Sequence, residues 1–172
     1  MTIAQTGQYE RTTQADFEAF YSRTARTLHG YLCRLSDSAT ADEVLQEVYI
    51  RMLNAPAMED LPRKGYLYKT ATNLLRDRWR KLKREQKLWE MSDFSEHVHQ
   101  KFNLPMDMAS VFAYLSAQER AILWLAHVEE MSHKEIGAIL GVKEKSVRVM
   151  VFRARERAKE LLEKAGFRGS DE

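Results

Sequence analysis

The sequence predicts an all-α protein of two small helical domains joined by a linker: an N-terminal bundle of three to four helices and a C-terminal four-helix domain with a helix-turn-helix. Apolar residues recur at intervals of three, four and seven through most of the chain, as on one face of a helix. The 172 residues include only 7 Gly and 3 Pro, too few for a loop-rich protein. Charge is also distributed in blocks, which predicts separate functional segments.

Composition predicts a cytoplasmic protein without membrane insertion. Cys33 is the single cysteine, so the chain has no internal disulfide and suits a reducing compartment. Residues 1–12 lack the basic stretch and apolar core of a signal peptide. The longest purely apolar runs, such as 121–126, are far shorter than the roughly 18 residues that would cross a bilayer.

The N-terminal domain is predicted over residues 13–87. Its first helix carries the apolar series Phe17, Phe20, Tyr21, Leu28, Tyr31 and Leu32. Its second helix is predicted to start with a capping box formed by Thr40 and Glu43, in which each side chain binds the other residue's backbone N–H. The second apolar series is Val44, Leu45, Val48, Tyr49, Met52 and Leu53.

Prolines separate the second helix from the third. Pro56 and Pro62 disfavour helix just before them, so residues 54–62 should form a loop. The third helix is predicted from Lys64 to Lys87. Its apolar side comprises Tyr66, Leu67, Ala71, Leu74, Leu75, Trp79 and Leu82.

Residues 88–107 predict an acidic linker, because periodicity weakens there and the charge changes sign. The C-terminal domain follows over residues 108–165. Two further capping boxes mark helix starts in it, one formed by Ser116 with Glu119 and the other by Ser132 with Glu135.

The segment 132–153 (SHKEIGAILGVKEKSVRVMVFR) has the order of a helix-turn-helix, which is a short helix, a Gly turn at Gly141 and a second helix. The small Ala138 is expected to let the two helices approach closely. The second helix would place its N-terminal residues in the DNA major groove. Residues 143–159 carry seven basic and two acidic side chains, a net charge of +5, which favours DNA binding over an ordinary solvated hairpin.

The third helix is also strongly basic, with ten bases and two acids in residues 63–87, a net charge of +8. Mixed aromatic and basic residues suit single-stranded nucleic acid. A charged helix is more often a solvated face, however, and Trp79 belongs to the apolar series, so it is interpreted as core. This segment alone therefore does not identify a function.

No catalytic or metal-binding constellation is present in the sequence, and no cofactor is expected. His97 and His99 could point together only in a strand and have no accompanying ligand pair. Phosphate-binding Gly-rich loops, nucleophile elbows and zinc-hydrolase motifs are absent. The chain is therefore not expected to be an enzyme.

Three blocks together resemble the extracytoplasmic-function (ECF) sigma factors of the sigma-70 family, over residues 14–165. Residues 40–51 (TADEVLQEVYIR) look like the family's polymerase-binding helix. Residues 65–80 (GYLYKTATNLLRDRWR) are similar to its minus-10 and promoter-melting segment. The C-terminal blocks 115–123 (LSAQERAIL), 135–142 (EIGAILGV) and 153–155 (RAR) look like its minus-35 domain.

The resemblance implies an initiation factor that binds core RNA polymerase at the large-subunit clamp helices and flap, contacts promoter DNA and is controlled by an anti-sigma factor. It implies polymerase binding by Asp42, Gln46, Glu47 and Arg51. It implies minus-10 DNA contacts from Asn73, Arg76, Asp77, Arg80 and Lys83. It implies minus-35 DNA contacts from Lys145, Ser146, Arg148, Val149 and Arg153.

The alternative is a stand-alone helix-turn-helix transcriptional regulator whose N-terminal helices dimerise or sense a signal. That class predicts tight operator binding by the chain alone. A departure from the family pattern lies in the turn, where Lys143 follows Val142 at a position that commonly holds a Ser or Thr helix cap.

Overall fold

The computed structural model describes residues 14–54, 63–90 and 112–167. The principal elements of these ranges are helices, as the sequence predicted. They are α1 (Gln14–Leu35), α2 (Ser38–Asn54), α3 (Arg63–Glu90), α4 (Ala117–His127), α5 (His133–Leu140) and α6 (Glu144–Lys164). The predicted loop at 54–62 lies almost entirely outside the described residues, as do His97, His99 and most of the predicted linker. Residues 88–90 of that linker instead continue α3.

The predicted capping box at the start of α2 is wrong. Asp37 caps this helix, accepting hydrogen bonds from the Thr40 backbone N–H (2.9 Å) and hydroxyl (2.8 Å). These two bonds hold the pKa of the Asp37 carboxyl below its usual value. Glu43 instead forms an ion pair with Arg78 of α3, with 2.7 Å between Oε2 and Nη1. The helix starts at Ser38, so Thr40 lies inside its first turn and donates to the Asp37 cap instead of forming a cap itself.

The first three helices pack around a core of buried aromatic and aliphatic residues. Tyr31 is fully buried, its ring meets that of Tyr68 edge-on at a centroid distance of 5.1 Å, and its hydroxyl hydrogen-bonds the Thr72 hydroxyl at 2.7 Å. Burial raises the pKa of Tyr31 to about 12, so the phenol stays protonated. Trp79 is partly buried against this core, as predicted. Leu82, predicted on the apolar side, is instead 55% exposed.

Both predicted C-terminal capping boxes are confirmed. The Ser116 and Ser132 hydroxyls accept from the backbone N–H of Glu119 and Glu135, and each glutamate accepts from the backbone N–H of its serine. After α5 the chain turns at Gly141, whose φ of 68° is left-handed. Three of the four helices predicted for this domain, α4 to α6, lie within the described ranges.

The Glu135 cap predicts a pH dependence of stability. Hydrogen bonds from the Ser132 hydroxyl and backbone hold the pKa of Glu135 below its usual 4.5. A depressed pKa in the folded state contributes stability that is present above pH 4.5 and is lost as the pH falls below it. We expect Glu135→Gln, which keeps the acceptor but cannot titrate, to remove part of the acid-dependent loss of stability. The measurement is chemical denaturation between pH 3 and pH 6; curves of the same shape for both proteins would contradict it.

The close approach of α5 and α6 occurs at Gly137, not at Ala138. Gly137 is buried, and a Cβ built on it would lie 2.9 Å from the carbonyl oxygen of Val142. Ala138 is exposed. The prediction for Ala138 is wrong by one position, because the apolar spacing does not show which face of α5 meets α6.

Helix α6 begins without a side-chain cap. Lys143 occupies the N-cap in extended conformation and makes no capping hydrogen bond. This follows from its chemistry, since an ammonium group only donates and the free groups at a helix start are also donors.

Buried residues from the two predicted domains form one contiguous core cluster. Helix α1 packs against α4, and α3 packs against α5. At the first contact, a Cβ built on Gly30 would lie 2.8 Å from Cη2 of Trp124. The absence of a side chain at Gly30 therefore lets α4 approach α1.

Candidate functional surfaces

The exposed face of α6 carries the residues predicted to contact minus-35 DNA. All five of them are exposed: Lys145, Ser146, Arg148, Val149 and Arg153. The opposite face, with Val147, Ala154 and Leu161, is buried. The core contacts of α6 thus leave its basic face accessible, as insertion into a major groove requires.

The residues predicted to contact minus-10 DNA follow one face of α3, at intervals of three and four. Asn73, Asp77, Arg80 and Lys83 are exposed, and Arg80 lies 3.3 Å from Asp77 in an ion pair that solvent screens. Arg76 differs because it is half-buried.

Arg76 is engaged by the helix-turn-helix. Its Nη2 donates a 2.9 Å hydrogen bond to the carbonyl oxygen of Leu140, the last residue of α5. A cation at a helix C-terminus satisfies a free carbonyl and meets the negative end of the helix dipole. In this arrangement, the guanidinium predicted to bind minus-10 DNA caps the C-terminus of α5, the first helix of the predicted helix-turn-helix.

The predicted polymerase-binding residues lie on the outward side of α2. Asp42, Gln46 and Arg51 are exposed and Glu47 is half-buried. Glu47 pairs with Arg51 at 2.7 Å, and Asp42 pairs with His29 of α1 at 2.8 Å. The large apolar side chains Ile50 and Leu53, each 56% exposed, extend this outward face. The surface combines charge with accessible apolar area, which is typical of a protein-binding patch.

Sequence reasoning missed Glu129, in the connection between α4 and α5. Its side chain is 2% exposed, and its carboxylate accepts a 2.5 Å hydrogen bond from the Tyr68 hydroxyl and pairs with the Lys64 ammonium at 2.5 Å. Burial, then the hydrogen bond to Glu129, raises the pKa of Tyr68. Both partners belong to the first turns of α3. A buried carboxylate thus joins the basic third helix to the C-terminal region.

Comparison with known proteins identifies both halves of the chain. Residues 17–85 match the family model of sigma-70 region 2, and residues 106–157 match that of sigma-70 region 4. The chain belongs to the sigma-70 family. The first matched region contains most of α1, all of α2 and most of α3, and the second contains α4, α5 and most of α6, in the order predicted from the sequence.

A curated relative agrees with this assignment. The chain is 28% identical over 134 residues to the ECF RNA polymerase sigma factor SigE of Mycolicibacterium smegmatis; the match covers 72% of this chain and 52% of the relative, so the chain spans about half of that relative's length. The predicted ECF resemblance is confirmed by these matches.

Its fold is similar to that of the sigma factor RpoE in a complex with the anti-sigma factor NepR from Bartonella quintana (TM-score 0.71, 23% identity, 86% of this chain and 97% of that one). It is also similar to the fold of CnrH in a complex with the cytosolic domain of CnrY (TM-score 0.60, 23% identity); this match covers 88% of this chain and 90% of that one. These likenesses confirm the all-α fold. None of the helices in the described ranges has the length and apolar character needed to cross a membrane.

Proposed function

We propose that this chain is an ECF sigma factor that binds core RNA polymerase and directs promoter recognition and transcription initiation. The observation that carries the proposal is the presence, in one sigma-70 chain, of two DNA-binding units with exposed basic faces on α3 and α6. Asp42, Gln46, Glu47 and Arg51 on α2 would bind the clamp helices of the large subunit. The flap would bind the C-terminal region.

The chemistry of each exposed face, on α6 and on α3, supports a different role in promoter binding. Arg148 and Lys145 near the start of α6 would reach base edges of the minus-35 duplex, whereas Arg153 and the following arginines would neutralise phosphates. The exposed stripe of α3 would hold the unpaired minus-10 strand. The closed packing of α3 on α5 engages Arg76, so promoter binding would require the two regions to separate.

The test is transcription in vitro by core polymerase with and without the purified chain, on a pool of promoter fragments. We expect defined start sites only when the chain is added. A regulator of the stand-alone class would instead bind an operator tightly by itself and add no start site to core polymerase.

An anti-sigma factor is proposed as a second partner. RpoE and CnrH, whose folds are similar to that of this chain, were both solved in complexes with another protein, and NepR is named an anti-sigma factor. Such a partner would act by covering the α2 or α6 face. A purified partner that bound the chain without reducing transcription would contradict this role.

Arg148→Ala is expected to weaken recognition of one particular minus-35 base pair by about 1 to 3 kcal/mol if the guanidinium makes a bidentate base contact. The measurement is the affinity of the holoenzyme for duplexes with each base pair at each minus-35 position. An equal loss of affinity on every sequence would contradict this contact and indicate that Arg148 binds a phosphate instead.

Arg80→Ala is expected to impair promoter opening more than duplex binding, because Arg80 lies on the α3 face assigned to the unpaired strand. Open complexes would be compared on a duplex template and on one with a pre-melted minus-10 region. If the variant is equally defective on the pre-melted template and minus-35 binding falls with it, this assignment is wrong.

A further inference from the structure

One cation on the exposed stripe of α3 is held by the C-terminal helices. The other residues predicted for this stripe are exposed, whereas Arg76 is half-buried. Its Nη2 donates to the carbonyl oxygen of Leu140, at the C-terminus of α5, over 2.9 Å. A DNA phosphate binds a guanidinium best when the planar fork of N–H groups is free. DNA and the Leu140 carbonyl therefore compete for this side chain.

Two further contacts close the C-terminal helices onto α1 and α3. A Cβ built on Gly30 would lie 2.8 Å from Cη2 of Trp124, so α4 approaches α1 more closely than a side chain would allow. At the start of α3, the buried Glu129 carboxylate accepts from the Tyr68 hydroxyl and pairs with Lys64. Because α4, α5 and α6 pack on one another, these contacts and the Arg76 bond hold one body closed.

Charge opposes this closed packing. Residues 63–87 carry a net charge of +8 and residues 143–159 carry +5. Helix α3 packs on α5 and α5 packs on α6, so closure brings the two basic segments together. Like charges at short range repel each other, and a bound polyanion relieves that repulsion. The closed packing is therefore a balance of opposing terms that DNA can shift.

We propose that the packing of α4 and α5 on α1 and α3 is a self-inhibiting contact, which withholds Arg76 from DNA until the two regions separate. The inference rests on the proposed function, through the DNA-binding role of α3. A ligand that needs the open form binds more weakly while the closed form predominates, and its binding in turn opens the chain. Single-stranded DNA and closure therefore oppose each other at Arg76.

Two substitutions at separate contacts are designed to open the chain. Gly30→Leu places a side chain where Trp124 lies, and leucine favours the helical conformation of α1. Glu129→Ala removes the hydrogen-bond acceptor and the ion pair at the start of α3. Ser22→Leu adds the same side chain to an exposed position of α1 and is the matched control. In small-angle X-ray scattering of the full chain, we expect a larger radius of gyration for both opening variants than for the control and the unmodified chain.

The release of Arg76 is measured by binding to a short fluorescein-labelled single strand of mixed sequence, without polymerase. Gly30→Leu and Glu129→Ala should bind about fivefold more tightly than the unmodified chain, at the lower end of coupling between sites. Arg76→Ala should cost much more affinity in the Gly30→Leu chain than in the unmodified chain. In the opened chain it should also lower the slope of log affinity against log salt by about 0.7, which is one phosphate contact on a single strand.

Arg80 supplies the matched control for Arg76. It is exposed on the same face of α3 and pairs with Asp77 of its own helix. We expect Arg80→Ala to cost the same affinity in the unmodified and Gly30→Leu chains, because closure does not engage it. If Arg80→Ala and Arg76→Ala leave binding unchanged in both chains, the DNA-binding role of α3 is wrong and the inference falls with it.

Two other results would overturn the inference alone. An equal cost of Arg76→Ala in the closed and opened chains would mean that closure does not withhold this guanidinium. An unchanged radius of gyration in both Gly30→Leu and Glu129→Ala would mean that these contacts do not hold the chain closed. Failure of the sigma function has a separate signature, since the chain would show the expected DNA binding and yet direct no start site from core polymerase.

Discussion

Replacing Glu129 with alanine is expected to lower the free energy of unfolding by about 2 to 3 kcal/mol. Tyr68 is fully buried, and its hydroxyl would lose the carboxylate that accepts its hydrogen bond. A hydrogen bond from a buried donor to a charged acceptor contributes more to stability than a bond between neutral groups. Lys64 contributes less to the loss, because its side chain is 43% exposed and can turn to water.

The same substitution should loosen the contact between α3 and the C-terminal region. Cys33, the single cysteine of the chain and exposed on α1, offers one labelling position. A second cysteine in place of the exposed Lys159 of α6 offers the other. Energy transfer between dyes at these positions should fall in Glu129→Ala, and the unfolding midpoint in denaturant should fall with it.

Two variants separate the charge from the hydrogen bond. Glu129→Gln keeps an acceptor for Tyr68 and removes the ion pair with Lys64, so its loss should be smaller. Glu130→Ala alters the exposed neighbouring residue and is the matched control. Equal stability of Glu129→Ala and Glu130→Ala would contradict the assigned role of Glu129.

The helices were predictable because their signals are local. Apolar spacing placed α1, α2 and α6, and the boxes at Ser116 and Ser132 form between residues three apart, with no rival partner nearby. Thr40 and Glu43 have the same spacing but do not form a capping box. The reason is local, because Asp37 caps the helix three residues before Thr40 and leaves Glu43 to pair with Arg78.

The sequence also predicted which side chains of the candidate surfaces are exposed, but not their contacts across the fold. Helical periodicity together with the family motif put the exposed residues of α6 and α3 on their outward faces. The pattern could not indicate that Arg76 would bond to Leu140, 64 residues away, or that Glu129 would be buried against Tyr68, 61 residues away. Both depend on how the two regions pack, and an isolated glutamate in a polar connection resembles an ordinary surface residue.

Gly137→Val is expected to destabilise the helix-turn-helix and to displace α6. Even a Cβ at this position would lie 2.9 Å from the Val142 carbonyl oxygen and 3.4 Å from the Glu144 backbone nitrogen. These are backbone atoms in the turn and at the start of α6, so relief of the clash requires α6 to move. Overpacking of this kind costs about 1 to 3 kcal/mol, which exceeds the small gain in helix propensity over glycine.

Gly137→Val should reduce minus-35 recognition by more than its loss of stability alone would cause. Lys145, Arg148 and Val149 would shift together with α6, and base contacts depend on hydrogen-bond geometry. We expect minus-35 recognition by the holoenzyme to fall well below that of Ala138→Val, which adds the same β-branched side chain to the exposed adjacent position of α5. Transcription on promoters with intact and scrambled minus-35 elements measures the difference. The substitution leaves the exposed residues of α3 unchanged, so synthesis from a pre-melted template should survive. Equal losses for both variants would contradict the role assigned to the close approach at Gly137.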